Sequence, residues 1–119
     1  MQNPKKNKYI DGMVYFYLPG DAETSFGAKK NPKSVEDMKF FAKLAYTEKS
    51  KRQQDYENAN QNGYELSKKI VTPLYKKVDN KMKVVDDGYI YDIISVDYDR
   101  VNSEMYLMLH EVRKVETNA

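Results

Sequence analysis

Hydrophobic and polar residues alternate with a period of two through much of this chain. Met13-Val14-Tyr15-Phe16-Tyr17-Leu18 is a β-branched and aromatic run between Asp11-Gly12 and Pro19-Gly20, which predicts a strand over 13–18. Residues 19–36 have no periodicity and predict a long loop, either an arm that binds something or a disordered stretch. Met38, Phe40, Ala42, Leu44 and Tyr46 then alternate, giving a long strand with one apolar face. Ser50 reads as a helix N-cap, with Arg52, Tyr56 and Ala59 on one face and Gly63 as the stop. The rest of that segment is polar, so it predicts a short surface helix held on the body mainly by Tyr56.

The second half reads as strands throughout. Leu66, Ile70, Val71 and Thr72 predict a strand over 64–74 that ends near Pro73, because proline removes a ladder donor. Tyr75–Lys81 is a basic loop, and Lys83-Val84-Val85 a short strand. Asp87-Gly88 predicts a tight hairpin, since a type I′ turn needs positive φ at both central residues. Tyr89–Val96 is apolar on both faces and predicts a central strand. A polar turn over 97–103 and a last strand from Glu104 to Val115 complete a meander. The fold class expected is mainly β: a small β-barrel or sandwich of about six strands with one short inserted surface helix and a long N-terminal loop. Phe40, Leu44, Ile70, Ile93, Val96, Leu107 and Leu109 are its expected core.

Length and composition narrow the class. The 119 residues suit one domain, with 1–10 a flexible N-terminal segment and 116–119 a frayed tail. With no cysteine there can be no disulfide, zinc–thiolate site or cysteine nucleophile, which fits a reducing cytoplasm. No apolar run approaches the length of a membrane helix, and none follows the basic first residues as a signal peptide would require, so a soluble protein without a membrane partner is expected.

The formal net charge of +2 is too even for a strongly basic nucleic-acid binder, but the charges are segregated. Glu65–Lys83 carries a net +4, and Asp86–Glu104 a net −5. Either neighbouring strands pair opposite charges across one sheet, or a basic face of one subunit meets an acidic face of the next.

Catalytic signals are sparse. His110 is the sole histidine, so neither a metal site nor a serine triad has a second partner residue of its kind, and no Gly-x-Ser-x-Gly elbow or phosphate-binding glycine loop occurs. Asp97, Asp99 and Glu104 could gather a hard cation, but the sharp-turn glycine of a calcium loop is missing; acids in such turns more often cap backbone donors. No catalytic residue, metal or cofactor is expected. The eleven tyrosines suit strands and contact surfaces, or the stacking platform of an OB-like barrel that binds single-stranded nucleic acid.

Three stretches carry a resemblance. Gly63-Tyr64-Glu65-Leu66-Ser67-Lys68-Lys69-Ile70 is followed by Asp87-Gly88-Tyr89-Ile90-Tyr91-Asp92-Ile93-Ile94-Ser95-Val96-Asp97, then by Glu104-Met105-Tyr106-Leu107-Met108-Leu109-His110-Glu111-Val112. Over roughly residues 38–115 this order resembles the head–tail connector proteins of long-tailed phages (siphoviruses), of the head-closure, stopper or head completion kind. The resemblance implies a small β-barrel with an inserted helix and no enzyme activity. It implies a virion protein, made in the host bacterial cytoplasm, whose copies form a ring between a portal-side adaptor protein and the tail. That ring would help retain the packaged double-stranded DNA and offer the tail its attachment surface. A tail-completion or terminator ring is the neighbouring possibility. Loop candidates for ring contact or channel constriction are Phe26, Lys29, Lys30, Tyr75, Lys76, Lys77 and Lys81, and the acidic-face candidates are Asp97, Asp99 and Glu104.

Overall fold

Residues 8–18, 35 and 38–116 are described by a computed structural model. Their order is β1 (Gly12–Leu18), β2 (Lys39–Lys49), α1 (Gln53–Gln61), β3 (Lys68–Pro73), β4 (Lys83–Asp86), β5 (Tyr89–Asp99) and β6 (Glu104–Lys114). The strands close into a barrel in the order β1-β2-β3-β6-β5-β4, all neighbours antiparallel. β4, β5 and β6 are the expected meander. The barrel is mainly β with one helix, as the sequence pattern predicts.

The interior follows from the pleat. Successive side chains on a strand point to opposite faces, so one set from each strand fills the barrel. Val14 and Phe16 of β1, Ile70 of β3, Val84 of β4, Ile93 of β5, and Met105, Leu107 and Leu109 of β6 meet there, all buried. Leu44 and Val96 pack against this core half-buried.

Phe40 departs from the expectation: it is 53% exposed. The register explains it. Phe16 pairs with Ala42 and Tyr17 with Phe40, so Phe41 is an extra residue on β2. This β-bulge shifts the phase of the strand. Phe41 turns to the core and stacks on Tyr75 at 5.7 Å, while Phe40 turns outward against Tyr17 at 5.8 Å.

Two turns behave as their residues require. Asp87 and Gly88 have φ of 50° and 81°, the left-handed pair that closes the β4–β5 hairpin. Gly63, at φ 78°, ends α1. Its N–H donates to Asn60 O at 3.0 Å and that of Tyr64 to Ala59 O at 2.9 Å, a Schellman pattern.

The start and anchor of α1 differ from expectation. Arg52, not Ser50, is the N-cap, because the Asp55 carboxylate accepts the Arg52 N–H at 2.8 Å. Tyr56 is exposed, since the helix turns Asp55 and Ala59, four residues apart, to the barrel instead. Ala59 packs on Leu66 and Ile94, which lies beside the β5 bulge at Ile93/Ser95. β5 also runs further than expected, to Asp99, leaving a tighter turn over 100–103.

Interior and exterior positions make a direct comparison. Leu107→Ala, in the filled interior, should cost about 2–5 kcal/mol in denaturant unfolding. Phe40→Ser, outside it, should cost under about 1 kcal/mol. Equal losses would show that β2 is not bulged at Phe41.

Candidate functional site

One end of the barrel gathers the connections that the sequence singled out. β1 finishes there at Leu18 and β2 begins there at Lys39, so the segment between them is attached at this end. The loop over 74–82 and the turn over 100–103 lie there as well, joined by the Leu74 N–H donating to Ser103 O at 2.9 Å. Phe26, Lys29 and Lys30 fall outside the described residues.

The loop over 74–82 is held from below. Val78 is fully buried and Met82 nearly so, both in the barrel core. The Val78 N–H donates to Tyr75 O at 3.1 Å, and the Lys81 N–H to the Asp79 carboxylate at 2.9 Å. From β5 the Tyr98 hydroxyl donates to Val78 O at 2.5 Å. Tyr75 is half-buried by its stack on Phe41. Lys76, Lys77 and Lys81 are exposed and form no ion pair among the described residues. Three cations therefore stand on a loop whose apolar residues cork the barrel.

The three acidic candidates separate. Asp97 is exposed on β5. Asp99 turns to its own loop: its oxygens accept the Asn102 N–H at 3.2 Å and the Asn102 side-chain amide at 2.8 Å. Those bonds hold its carboxyl below the usual range. Glu104 is buried, accepting the Tyr9 hydroxyl at 2.8 Å and pairing with Lys8 Nζ at 2.9 Å. Burial first, then that bond to Glu104, pushes the Tyr9 phenol up to about 12. Glu104 thus pins the N-terminal segment to the barrel wall and offers no outward charge. Lys83 pairs directly across the β4–β5 ladder with Asp92, the cross-strand form of the charge segregation.

Two buried charge clusters were not singled out in the sequence. At the opposite end of the barrel Lys68 Nζ meets Asp86 at 2.6 Å, and the Tyr46 hydroxyl donates to the same carboxylate at 3.0 Å. Lys68 also lies 5.5 Å from the centre of the Tyr91 ring. Burial alone would lower the Lys68 pKa, but Asp86 outweighs it and holds the ammonium charged. Burial and the bond to Asp86 push the Tyr46 phenol up to about 12. The signal was phase: Lys68 alternates in step with Ile70, and Asp86 with Val84.

On the outer wall Lys69 Nζ pairs with Asp55 at 3.0 Å, both buried. Burial opposes the Asp55 charge, but the Arg52 N–H and Lys69 outweigh it and hold the carboxyl low. This pair forms the floor of a cleft of about 840 Å³ between α1 and β3, β5 and β6. Lys49, Asn58, Ser95, Asp97, Tyr106 and Met108 also line it. The His110 Nδ1–H donates to Glu65 O, 2.8 Å away, and the ring leans on Tyr64. Among the described residues no group of three or more His, Cys, Asp or Glu could hold a metal ion, and no helix is long and apolar enough to cross a membrane.

Removing one member of the outer pair leaves a buried charge alone. Lys69→Ala should lower unfolding free energy by about 3–5 kcal/mol. Lys69→Met combined with Asp55→Asn should lose less, because no lone charge remains and asparagine still accepts the Arg52 N–H. A double variant as weak as the single would refute this account of how α1 is docked.

The raised Tyr46 pKa fixes the sign of an alkaline response. The folded state keeps the phenolic proton after the unfolded chain has lost it, so stability present below pH 10 falls as pH rises toward 12. Unfolding free energies across that window should decline more gently in Tyr46→Phe than in the native chain. Parallel slopes would count against a buried, carboxylate-bound hydroxyl.

Among the described residues, then, the barrel is corked at one end by a basic loop and flanked on its wall by one helix. No curated protein matches the sequence. The sequence model of the phage head completion protein family matches residues 26–112, most of the chain. This protein belongs to that family and is a structural component of the bacteriophage virion.

Proposed function

We propose that this protein closes the filled phage head. In this reading, copies form a ring between the portal-side adaptor protein and the tail. The ring helps retain the packaged double-stranded DNA and gives the tail its attachment surface. Family membership supports a place at the head, and one structural observation supports the finer role: the loop bearing Lys76, Lys77 and Lys81 is exposed yet locked into the barrel through Val78 and Met82. Loose lysines bind phosphate weakly because they must be ordered first; a corked loop has already lost that freedom. The same three cations can meet an acidic flank of a neighbouring copy. Asp97 and the segment carrying Phe26, Lys29 and Lys30, attached at the same end, are the companion contacts.

The test is complementation of a phage lacking this gene with a chain carrying Lys76→Glu, Lys77→Glu and Lys81→Glu. The melting temperature should stay within about 3 °C of the native value, since exposed lysines add little stability. Particles should lose DNA or fail to gain tails. Normal yields of filled, tailed, infectious particles would remove the basic loop from this role.

A further inference from the structure

The barrel closes through short ladders, and two long strand edges are left over. β2 pairs with β1 over residues 39–46 but with β3 only through Thr47, Glu48 and Lys49. β5 pairs with β6 along its length but with β4 only through Tyr89–Asp92. Residues 39–45 and 93–99 therefore each have a strand on one side alone among the described residues, and no backbone hydrogen bond from a described loop fills the other side. In the ring order β1-β2-β3-β6-β5-β4, β2 and β5 are three staves apart, on opposite sides of the barrel.

The edges match in chemistry. Residues 39–45 carry two exposed lysines, Lys39 and Lys43, and no acid; residues 93–99 carry the exposed Asp97, and Asp99 whose carboxylate is bonded to Asn102, and no base. Exposed apolar side chains accompany both, Phe40 on one and Tyr98 on the other. Beside the β5 edge is an open cleft of about 310 Å³, lined by Asp79, Asn80, Ile94, Ser95, Val96 and Tyr98 with no basic residue.

We infer that the β2 edge of one copy pairs with the β5 edge of the next, extending the sheet from barrel to barrel. This rests on the ring reading above and names its contact. An unpaired edge is a template for another strand, and edge lysines alone would guard against pairing. Matched aspartates convert that guard into selection. β2 against β2 sets lysines on lysines, and β5 against β5 sets aspartates on aspartates; only β2 against β5 pairs opposite charges. Since the two edges lie on opposite sides, each copy can engage two neighbours at once, the head-to-tail contact from which closed rings are built.

The absence of native cysteine makes a clean test. Chains carrying one substitution at β2 (Phe40→Cys or Lys43→Cys) and one at β5 (Ser95→Cys or Asp97→Cys) are assembled into particles, which are purified and oxidised. At least one of the four pairs should give a ladder of covalent multimers on a denaturing gel, while each single-cysteine chain gives none. Several copies per particle without any ladder would overturn this contact and leave the ring intact. One copy per particle, measured on the same gel, would instead overturn the ring reading itself. A dimer from Lys43→Cys alone would replace the contact with a symmetric one. A second measurement covers variants that fold poorly. Lys43→Asp and Asp97→Lys should each reduce the copies incorporated, and the chain carrying both should recover them. Failure of the combined chain, when thermally as stable as the native one, would also overturn the pairing.

Discussion

Closing six strands around one apolar interior is the constraint on which the rest of this structure depends. β6 shows why. It pairs with β3 on one side and β5 on the other, and its Met105, Leu107 and Leu109 lie opposite Val14 and Phe16 of β1. Each inward side chain excludes water from contacts made by all the others, so loss of one leaves a cavity that neighbours can fill only in part. The bulges on β2 and β5 serve the same closure. They bend the strands and change which residue faces inward. The ends of the cylinder need plugs, and the chain uses two kinds. Val78 and Met82 fill one end as apolar side chains; Lys68, Asp86 and Tyr46 fill the other as a bonded polar group.

The choice of plug separates stability from availability. A buried ammonium and carboxylate contribute only if each satisfies the other, so Lys68, Asp86, Lys69 and Asp55 have no charge left to offer a partner. Glu104 is likewise consumed by Lys8 and Tyr9. The charges left exposed include the lysines on the loop over 74–82, Lys39 and Lys43 on β2, and Asp97 on β5. For a member of the phage head completion protein family this division leaves outward charge for contact with other phage proteins.

What the sequence determined by itself was local. The β-branched and apolar runs placed β1, β3, β4 and β5, alternation placed β2 and β6, and together they put Ile70, Ile93, Leu107 and Leu109 in the core, because a strand's pleat sends neighbouring side chains to opposite faces whatever the partner strand is. Asp87-Gly88 and Gly63 marked their turns because few residues accept positive φ. What only the tertiary structure decided was pairing across long separations. Phe40 and Phe41 exchanged faces because a bulge is set by the register against β1, more than twenty residues away, which the local pattern does not encode. Tyr56 gave way to Asp55 as the anchor of α1 because Lys69 arrives from a different element. The acidic run divided because Glu104 meets Tyr9, ninety-five positions away in the chain, while Asp97 meets solvent. A side chain's charge is written in the sequence, but whether it is spent inside the fold or left for a partner depends on which distant residue the closed barrel brings beside it.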